Sequence, residues 1–472
     1  MQHNNNSRRR VGDHAIVLGA SLAGLATAAA LAERFDRVTV IERDALPETV
    51  QLRRGVPQGR HAHLLLSGGL RALAALLPGF EKDLQARGGH VIPSDELRFY
   101  LGGGRLDVRT ADMAVCGATR PFLEHVVRER VRSLDGVEFR DGCPVDGLAT
   151  NENATRVTGV RIRTGDLPDV VAGDLVVDTT GRGSRSPHWL TELGYPEVAV
   201  ERMNVSVRYT TRLFRRDPED LDGCRHVVVA PGPGGRRGGL IIAVEDDRWL
   251  ITLVGTEGER APKDLPGFID YAASLPLPEL AEVASRAEPI GDAATGTFSS
   301  YLRHRYDKLS KLPAGFAVLG DAVCSLNPAY GQGMSVACLE AQTLGEVLDR
   351  YGLDRIGPRV LRRTKAVVDG AWSLSTGSDL ADPAVEGPRP LSWRLISAYL
   401  NRVMPVAYHD PAVAHALFSV NALIDPPPRL MRPAIAARAL TRRRNRLPSP
   451  ATTTTMPTSP QGAPTNIRGV AP

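Results

Sequence analysis

The sequence predicts an α/β protein in three parts: a Rossmann-like parallel-sheet domain, an inserted β-sheet domain and a helical C-terminal region. Three observations predict it. An apolar run, HAIVLGA at 14–20, leads through a small-residue turn into an Ala/Leu-rich stretch and a second apolar run, all within about 30 residues. The pattern of buried strand, glycine turn and helix returns at 316–334. Between the two, residues 203–256 hold branched and alternating stretches of the kind that make a sheet with one covered face.

In chain order, residues 1–12 are polar and expected to be disordered, and 13–200 form the first part of the parallel-sheet domain. HAIVLGA and RVTVIERD (37–44) read as buried parallel strands flanking the helix of SLAGLATAAALAERF. A helix is expected near 64–77, and another over 119–134, where Pro121 stands near the helix start. Short strands fill 136–178 and end in DLVVDTTG. The inserted sheet is expected over 201–300, a return to the parallel domain over 301–357, and helices over 358–446. Residues 447–472 are rich in Pro, Thr and Ser and are expected to be disordered.

Composition narrows the classes. Of 472 residues, 42% are hydrophobic and 24% charged, which excludes global disorder and allows a large core. The five cysteines form no CxxC pair, which argues against a disulfide scaffold or a cysteine-rich zinc site and fits a reducing cytoplasm. The net charge of +5 is local, since residues 426–446 carry seven arginines and no acid. This bias gives no reason to expect a nucleic-acid partner, and with no apolar run near the ~20 residues of a bilayer span it allows at most peripheral membrane contact. No signal peptide is read, so the expected location is cytoplasmic.

The turn after the first strand is Gly19-Ala-Ser21-Leu-Ala-Gly24, a GxGxxG fingerprint with serine at its middle position. Gly19 permits the tight turn, Ser21 faces the pyrophosphate and can donate to it, and Gly24 lets the helix pack on the strand. The helix N-terminus presents free N–H groups and a positive dipole end to phosphate. Glu42 closes the second strand, where an acid accepts hydrogen bonds from a ribose diol and repels a 2′-phosphate. FAD or NAD fits this better than NADP.

A second motif separates FAD from NAD. Gly320-Asp321 is followed by Pro328-Ala-Tyr-Gly331-Gln-Gly333-Met334. Here the sequence resembles the FAD-dependent monooxygenases of the aromatic-hydroxylase and squalene-epoxidase superfamily. The resemblance implies that Asp321 binds the flavin ribityl chain and that the Pro328–Met334 turn opens a helix toward the flavin pyrimidine edge. Asp178-Thr-Thr-Gly181-Arg182-Gly183-Ser184 resembles the superfamily's D-x-T-G-R-G-S element, expected near the adenine side, and Arg120 resembles its arginine for FAD phosphate or ribityl oxygens. The segment GVPQGRHAH at 55–63 is similar to that of actinobacterial polyether epoxidase-like enzymes. It adds Arg60 as a cofactor contact, and Arg43 beside Glu42 is another candidate. His61 and His63 form an HxH without a third ligand at recognisable spacing, so no metal is expected.

The resemblance implies an enzyme of secondary metabolism that binds FAD, takes O2, and forms a C4a-hydroperoxyflavin in a dry pocket. The expected reaction is epoxidation of an alkene in an apolar polyketide or terpenoid intermediate. Aromatic (phenol) hydroxylation and flavin-dependent isoprenoid reduction are the alternatives. A phenol substrate calls for a base; Tyr209, Tyr301, His304 and Tyr330 are the candidates, and the sequence assigns no catalytic residue among them. A halogenase is set aside because the tryptophans at 189, 249, 372 and 393 are isolated and make no W-x-W-x-I-P element. No second complete GxGxxG unit is found, so electrons are expected from NAD(P)H that docks transiently or from a partner flavin reductase.

Overall fold

The computed structural model describes residues 10–53, 55–108, 113–164, 167–231 and 235–441. Five strands form an all-parallel sheet in the order Phe316–Val318, Leu175–Asp178, Gly12–Leu18, Phe35–Ile41, Val137–Arg140. Past their first residues the central strands are mostly apolar because both faces are covered, one by helices and the other by the three-stranded sheet Val145–Thr150, Val157–Thr164 and Leu167–Ala172 with helices Ser186–Glu192 and Ile356–Asp379. Helix Leu22–Ala32 buries nine of its eleven residues, which explains why its sequence is apolar all round rather than striped. It packs with Ser67–Leu76 and Gly333–Tyr351 around Leu25, Leu70, Leu73, Cys338 and Leu344.

A seven-stranded sheet forms the second body of the fold. Its order is Pro289–His304, Val200–Arg215, Arg248–Thr256, Arg237–Val244, His226–Val229, Leu97–Leu101, Gly104–Leu106. One face buries Phe214, Trp249, Ile251 and Leu253 against helices Leu265–Ala273 and Glu279–Arg286. The other face sets Leu250, Ile242 and Val244 against Val403, Val413 and Phe418 of the C-terminal helices.

Two parts of this sheet correct the sequence reading. Leu97–Leu101 and Gly104–Leu106, assigned there to the parallel-sheet domain, belong to the second sheet, where Leu97–Leu101 pairs in parallel with His226–Val229. Strands of five and three residues carry little alternation, and a parallel partner more than 120 residues away leaves no local signal. The outer strands also run past the expected window, starting at Val200 and ending at His304. Residues 10–12, expected to be disordered, lead into the first strand: Arg10 bonds the Phe35 carbonyl and Gly12 opens the strand. The rest of that expected disorder (1–9), the tail 447–472 and the end of the helical region (442–446) lie outside the described residues. No helix among the described residues is long and apolar enough to cross a membrane, and all five cysteines are buried and free.

Candidate active site

Parallel strands end together, so the carboxyl ends of four neighbouring strands share one edge of the sheet. Along it stand Glu42, then Gly19–Ser21, then Thr179–Gly181, then Gly320–Asp321. Three strand spacings, about 14 Å, separate the first strand end from the last. Open parallel sheets bind extended ligands in this crevice.

Gly19 turns the chain with φ +97°, a conformation that favours glycine. Gly24 is fixed by close approach, since a Cβ there would lie 1.8 Å from the Gly19 carbonyl oxygen. Glu42 is buried. Its Oε2 accepts from the Ala20 N–H (2.8 Å) and Arg53 Nη1 (3.2 Å), and Oε1 accepts from the Asp44 N–H (3.1 Å). A carboxylate has about four acceptor positions, so one remains for a ribose hydroxyl.

Ser21 does not stand free. Its hydroxyl donates to Glu124 Oε1, which also accepts from the Leu22 N–H (3.3 Å) and Arg120 Nε (2.8 Å). Arg120 Nη2 donates to Ser21 Oγ at 2.7 Å. Arg53 bridges the two acids, reaching Glu124 Oε2 at 3.0 Å. A carboxylate therefore covers the N-terminus of helix Leu22–Ala32, where the helix dipole favours negative charge. Burial alone would raise the Glu124 carboxyl, yet Arg120, Arg53 and the Ser21 hydroxyl hold it down at about 2.

The opposite end of the crevice is built differently. Asp321 is exposed and accepts no hydrogen bond among the described residues. Crowding by protein around the carboxyl pushes it up to about 6, against the pull of Arg120 and Arg182. Gly181 and Gly333 flank it so closely that a Cβ on either would come within 4.0 Å of its side chain. Behind the turn, Glu340 is buried and its Oε2 accepts from the Gly320 N–H at 2.7 Å; burial pushes its carboxyl up to about 8. Pro328 begins a short turn capped by Asn327, Gly331 takes φ +67°, and helix Gly333–Tyr351 begins with no side-chain cap on its N–H groups. Met334 is buried in its first turn.

Residues 178–184 end and follow the strand next to the first. The strand order sets them on the Asp321 side of Gly19, away from Glu42. Asp178 accepts from Thr180, Ser184 and Ser186 and ties its own loop. Of the other candidate residues, Arg43 is exposed, with Nε 4.0 Å from Asp44, and Arg60 is exposed. Neither joins the cluster around Ser21, where Arg53 does. His61 pins its segment to the second sheet, and His63 bonds within the segment. His61 Nδ1 pairs with Thr211 Oγ1 at 2.9 Å, Thr211 with Thr252 at 2.8 Å, and His63 Nδ1 with the His61 carbonyl at 2.9 Å.

A polar cluster lies between the Pro328–Gly331 turn, the second sheet and helix Ile356–Asp379. Asp379 accepts from Tyr330 (2.7 Å), Tyr301 (2.8 Å) and Asn327 Nδ2 (3.1 Å to each oxygen). Burial raises its carboxyl above the usual range against those three donors. The Tyr209 hydroxyl is buried nearby with no partner among the described residues; burial and the Asp379 charge push its phenol up. Sequence reasoning missed Arg53, Glu124, Glu340 and Asp379. Only Glu124 left a signal, four residues after Arg120 on one helix face.

No family model matches the sequence. Protein Rv3254 of Mycobacterium tuberculosis (strain ATCC 25618 / H37Rv) is 31% identical over 432 residues, spanning 88% of this chain and 90% of its own. The chain belongs to the Rv3254 family. Solved structures then give the fold of this family. PqsL, a probable FAD-dependent monooxygenase from Pseudomonas aeruginosa, superimposes with a TM-score of 0.62 at 20% identity, over 78% of this chain and 97% of its own. The flavin-dependent brominase Bmp2 gives 0.58 at 15% identity, over 87% and 93%. 2-Methyl-3-hydroxypyridine-5-carboxylic acid oxygenase gives 0.56 at 18% identity, over 81% and 95%. The α/β architecture with its parallel sheet and helices is that of FAD-binding monooxygenases.

The crevice fits an FAD. Among the described residues, Glu42 keeps a free acceptor position, Asp321 is a carboxylate without a hydrogen-bond partner, and the Gly333 helix offers uncapped N–H groups.

Proposed function

We propose that this member of the Rv3254 family is a cytoplasmic FAD-dependent monooxygenase acting on a small apolar substrate. The observation that carries the reading is the row of groups along one sheet edge, from Glu42 through Ser21 to the open Asp321 and the bare helix N-terminus. In it Glu42 would meet the adenosine ribose, Arg53, Arg120 and Ser21 the diphosphate, and Asp321 the ribityl hydroxyls. The backbone of Gly331, Gly333 and Met334 would face the flavin's pyrimidine edge. Bound flavin would supply the redox and oxygen chemistry, with NAD(P)H or a partner flavin reductase as the electron source.

The chain's own groups orient the substrate and keep water out. The face of the second sheet opposite helices Leu265–Ala273 and Glu279–Arg286 is apolar at Leu213 and Leu240, which favours a polyketide or terpenoid alkene and an epoxide product. Asp379 supports a second reading, phenol hydroxylation, because a half-buried carboxylate bonded to Tyr330 and Tyr301 can hold and pass a substrate proton.

The test is purification with FAD, followed by turnover of candidate polyenes, terpenoids and phenols under labelled dioxygen. One labelled oxygen atom in an alkene product supports epoxidation, and one in a phenol ring supports the second reading. A product with two added hydrogens and no label, or a chain that retains no FAD, refutes the proposal.

A further inference from the structure

We propose that the surface formed by helix Leu391–Ala407, the Pro427–Met431 turn and helix Pro433–Thr441 docks on a lipid surface with anionic headgroups. Five of the nine large hydrophobic side chains exposed among the described residues lie here: Leu391 (70%), Leu395 (63%), Ile396 (55%), Met431 (67%) and Leu440 (55%). Their segments adjoin. Leu391 and Leu395 are one helical turn apart, and the stripe continues through Tyr399, whose hydroxyl donates to the Leu430 carbonyl at 2.6 Å beside Met431. Arg402 follows and donates to the Leu440 carbonyl at 2.9 Å. Only the far end of the long helix, at Val403, Val406 and Ala407, is buried in the core.

Arginine outnumbers acid along these segments. Residues 386–409 carry three arginines and one acid, Glu386, and 426–441 carry three arginines and no acid. The two intervening acids are spent locally, Asp410 on Arg438 (3.0 Å) and Asp425 on Arg429 (3.1 Å). Arg394 and Arg432 have no acidic partner among the described residues. Arginines 442, 443, 444 and 446 follow directly in the sequence.

Exposed apolar side chains beside unpaired arginines match an anionic bilayer, which takes leucines into its acyl boundary and arginines at its headgroups. A second copy of this chain fits poorly, because a two-fold contact would set arginine against arginine. The inference does not depend on the flavin reading.

The experiment is flotation of the full-length, FAD-loaded protein with vesicles of phosphatidylcholine alone or mixed with phosphatidylglycerol. Flotation with the anionic vesicles only, weakened by salt, is the expected result. Leu391→Ser/Leu395→Ser/Ile396→Ser should lower partition by at least about tenfold. Arg394→Ala/Arg432→Ala should lower it about fivefold per arginine. All five positions are exposed, so thermal melting and flavin content should stay at parental values. No flotation with anionic vesicles, equal flotation with neutral ones, or full flotation of both variants overturns the proposal. So does a dimer in vesicle-free solution that the serine variant abolishes, which would assign the surface to a second copy.

Discussion

The N-termini of helices Leu22–Ala32 and Gly333–Tyr351 face the same crevice and are finished in opposite ways. The first is closed by the Glu124 carboxylate, itself held by Arg53, Arg120 and Ser21. The second has no side-chain cap, and the nearby Asp321 is an exposed carboxylate with no hydrogen-bond partner among the described residues. At the first end two arginines are already paired with two acids before any ligand arrives. The second has unmet hydrogen-bonding capacity on both the helix and the acid. Residues at the first end should thus matter most to folding, and those at the second most to cofactor affinity.

The largest effect that would break this comparison is at Glu124. Glu124→Ala leaves two guanidiniums without their shared carboxylate, Arg53 fully buried and Arg120 nearly so. It should cost about 3–5 kcal/mol of folding stability in a urea titration. A loss below about 1 kcal/mol would remove the distinction between the two ends.

Next comes the pH dependence beneath the second end. The Glu340 carboxyl is raised from about 4.5 to about 8 in the folded chain. Its contribution to stability is complete below about 4.5 and is lost as pH rises through about 8. Glu340→Gln should therefore flatten that decline by on the order of 2–4 kcal/mol, read as the difference between parent and variant unfolding curves at acid and alkaline pH. Glu124 acts with the opposite sign: its depressed carboxyl contributes above about 4.5, and the contribution is lost as pH falls toward about 2.

Asp321→Ala sharpens the comparison from the other side. It should leave the melting temperature of the FAD-free protein unchanged or raise it slightly, and weaken FAD binding by about 1.5–3 kcal/mol, roughly ten- to hundredfold, in a fluorescence titration. The smallest effects belong to Arg43→Ala and Arg60→Ala. Exposed and outside the cluster, each should shift stability by less than about 0.5 kcal/mol and FAD affinity by less than about threefold.

What the sequence made legible was local. Gly19, Ser21, Gly24 and Glu42 lie within one strand-turn-helix-strand unit, and Asp321, Gly331 and Gly333 within another, so a few adjacent residues carried the geometry. What stayed hidden was assembled across the chain. Arg53 meets Glu124 across 71 positions, and Asp379 gathers Tyr330, Asn327 and Tyr301 across 49 to 78. Tyr301 and Tyr330 were visible as titratable residues, but the carboxylate that joins them lies on a helix with no motif. The two short strands at 97–106 escaped for the same reason, since their sheet partner is encoded far downstream.

The position of Phe316–Val318 in the parallel sheet constrains the order in which the protein can be made. The strand it completes, Leu175–Asp178, leaves the ribosome long before it. Roughly 140 residues separate them, which at about 5–20 residues per second leaves the sheet edge unpaired for about 7–28 s. During that time a run of four buried apolar and acidic residues is open to any passing strand. The second sheet is being synthesised in the same interval, so the nascent chain carries its own competing strands and has reason to depend on a chaperone until residue 318 emerges.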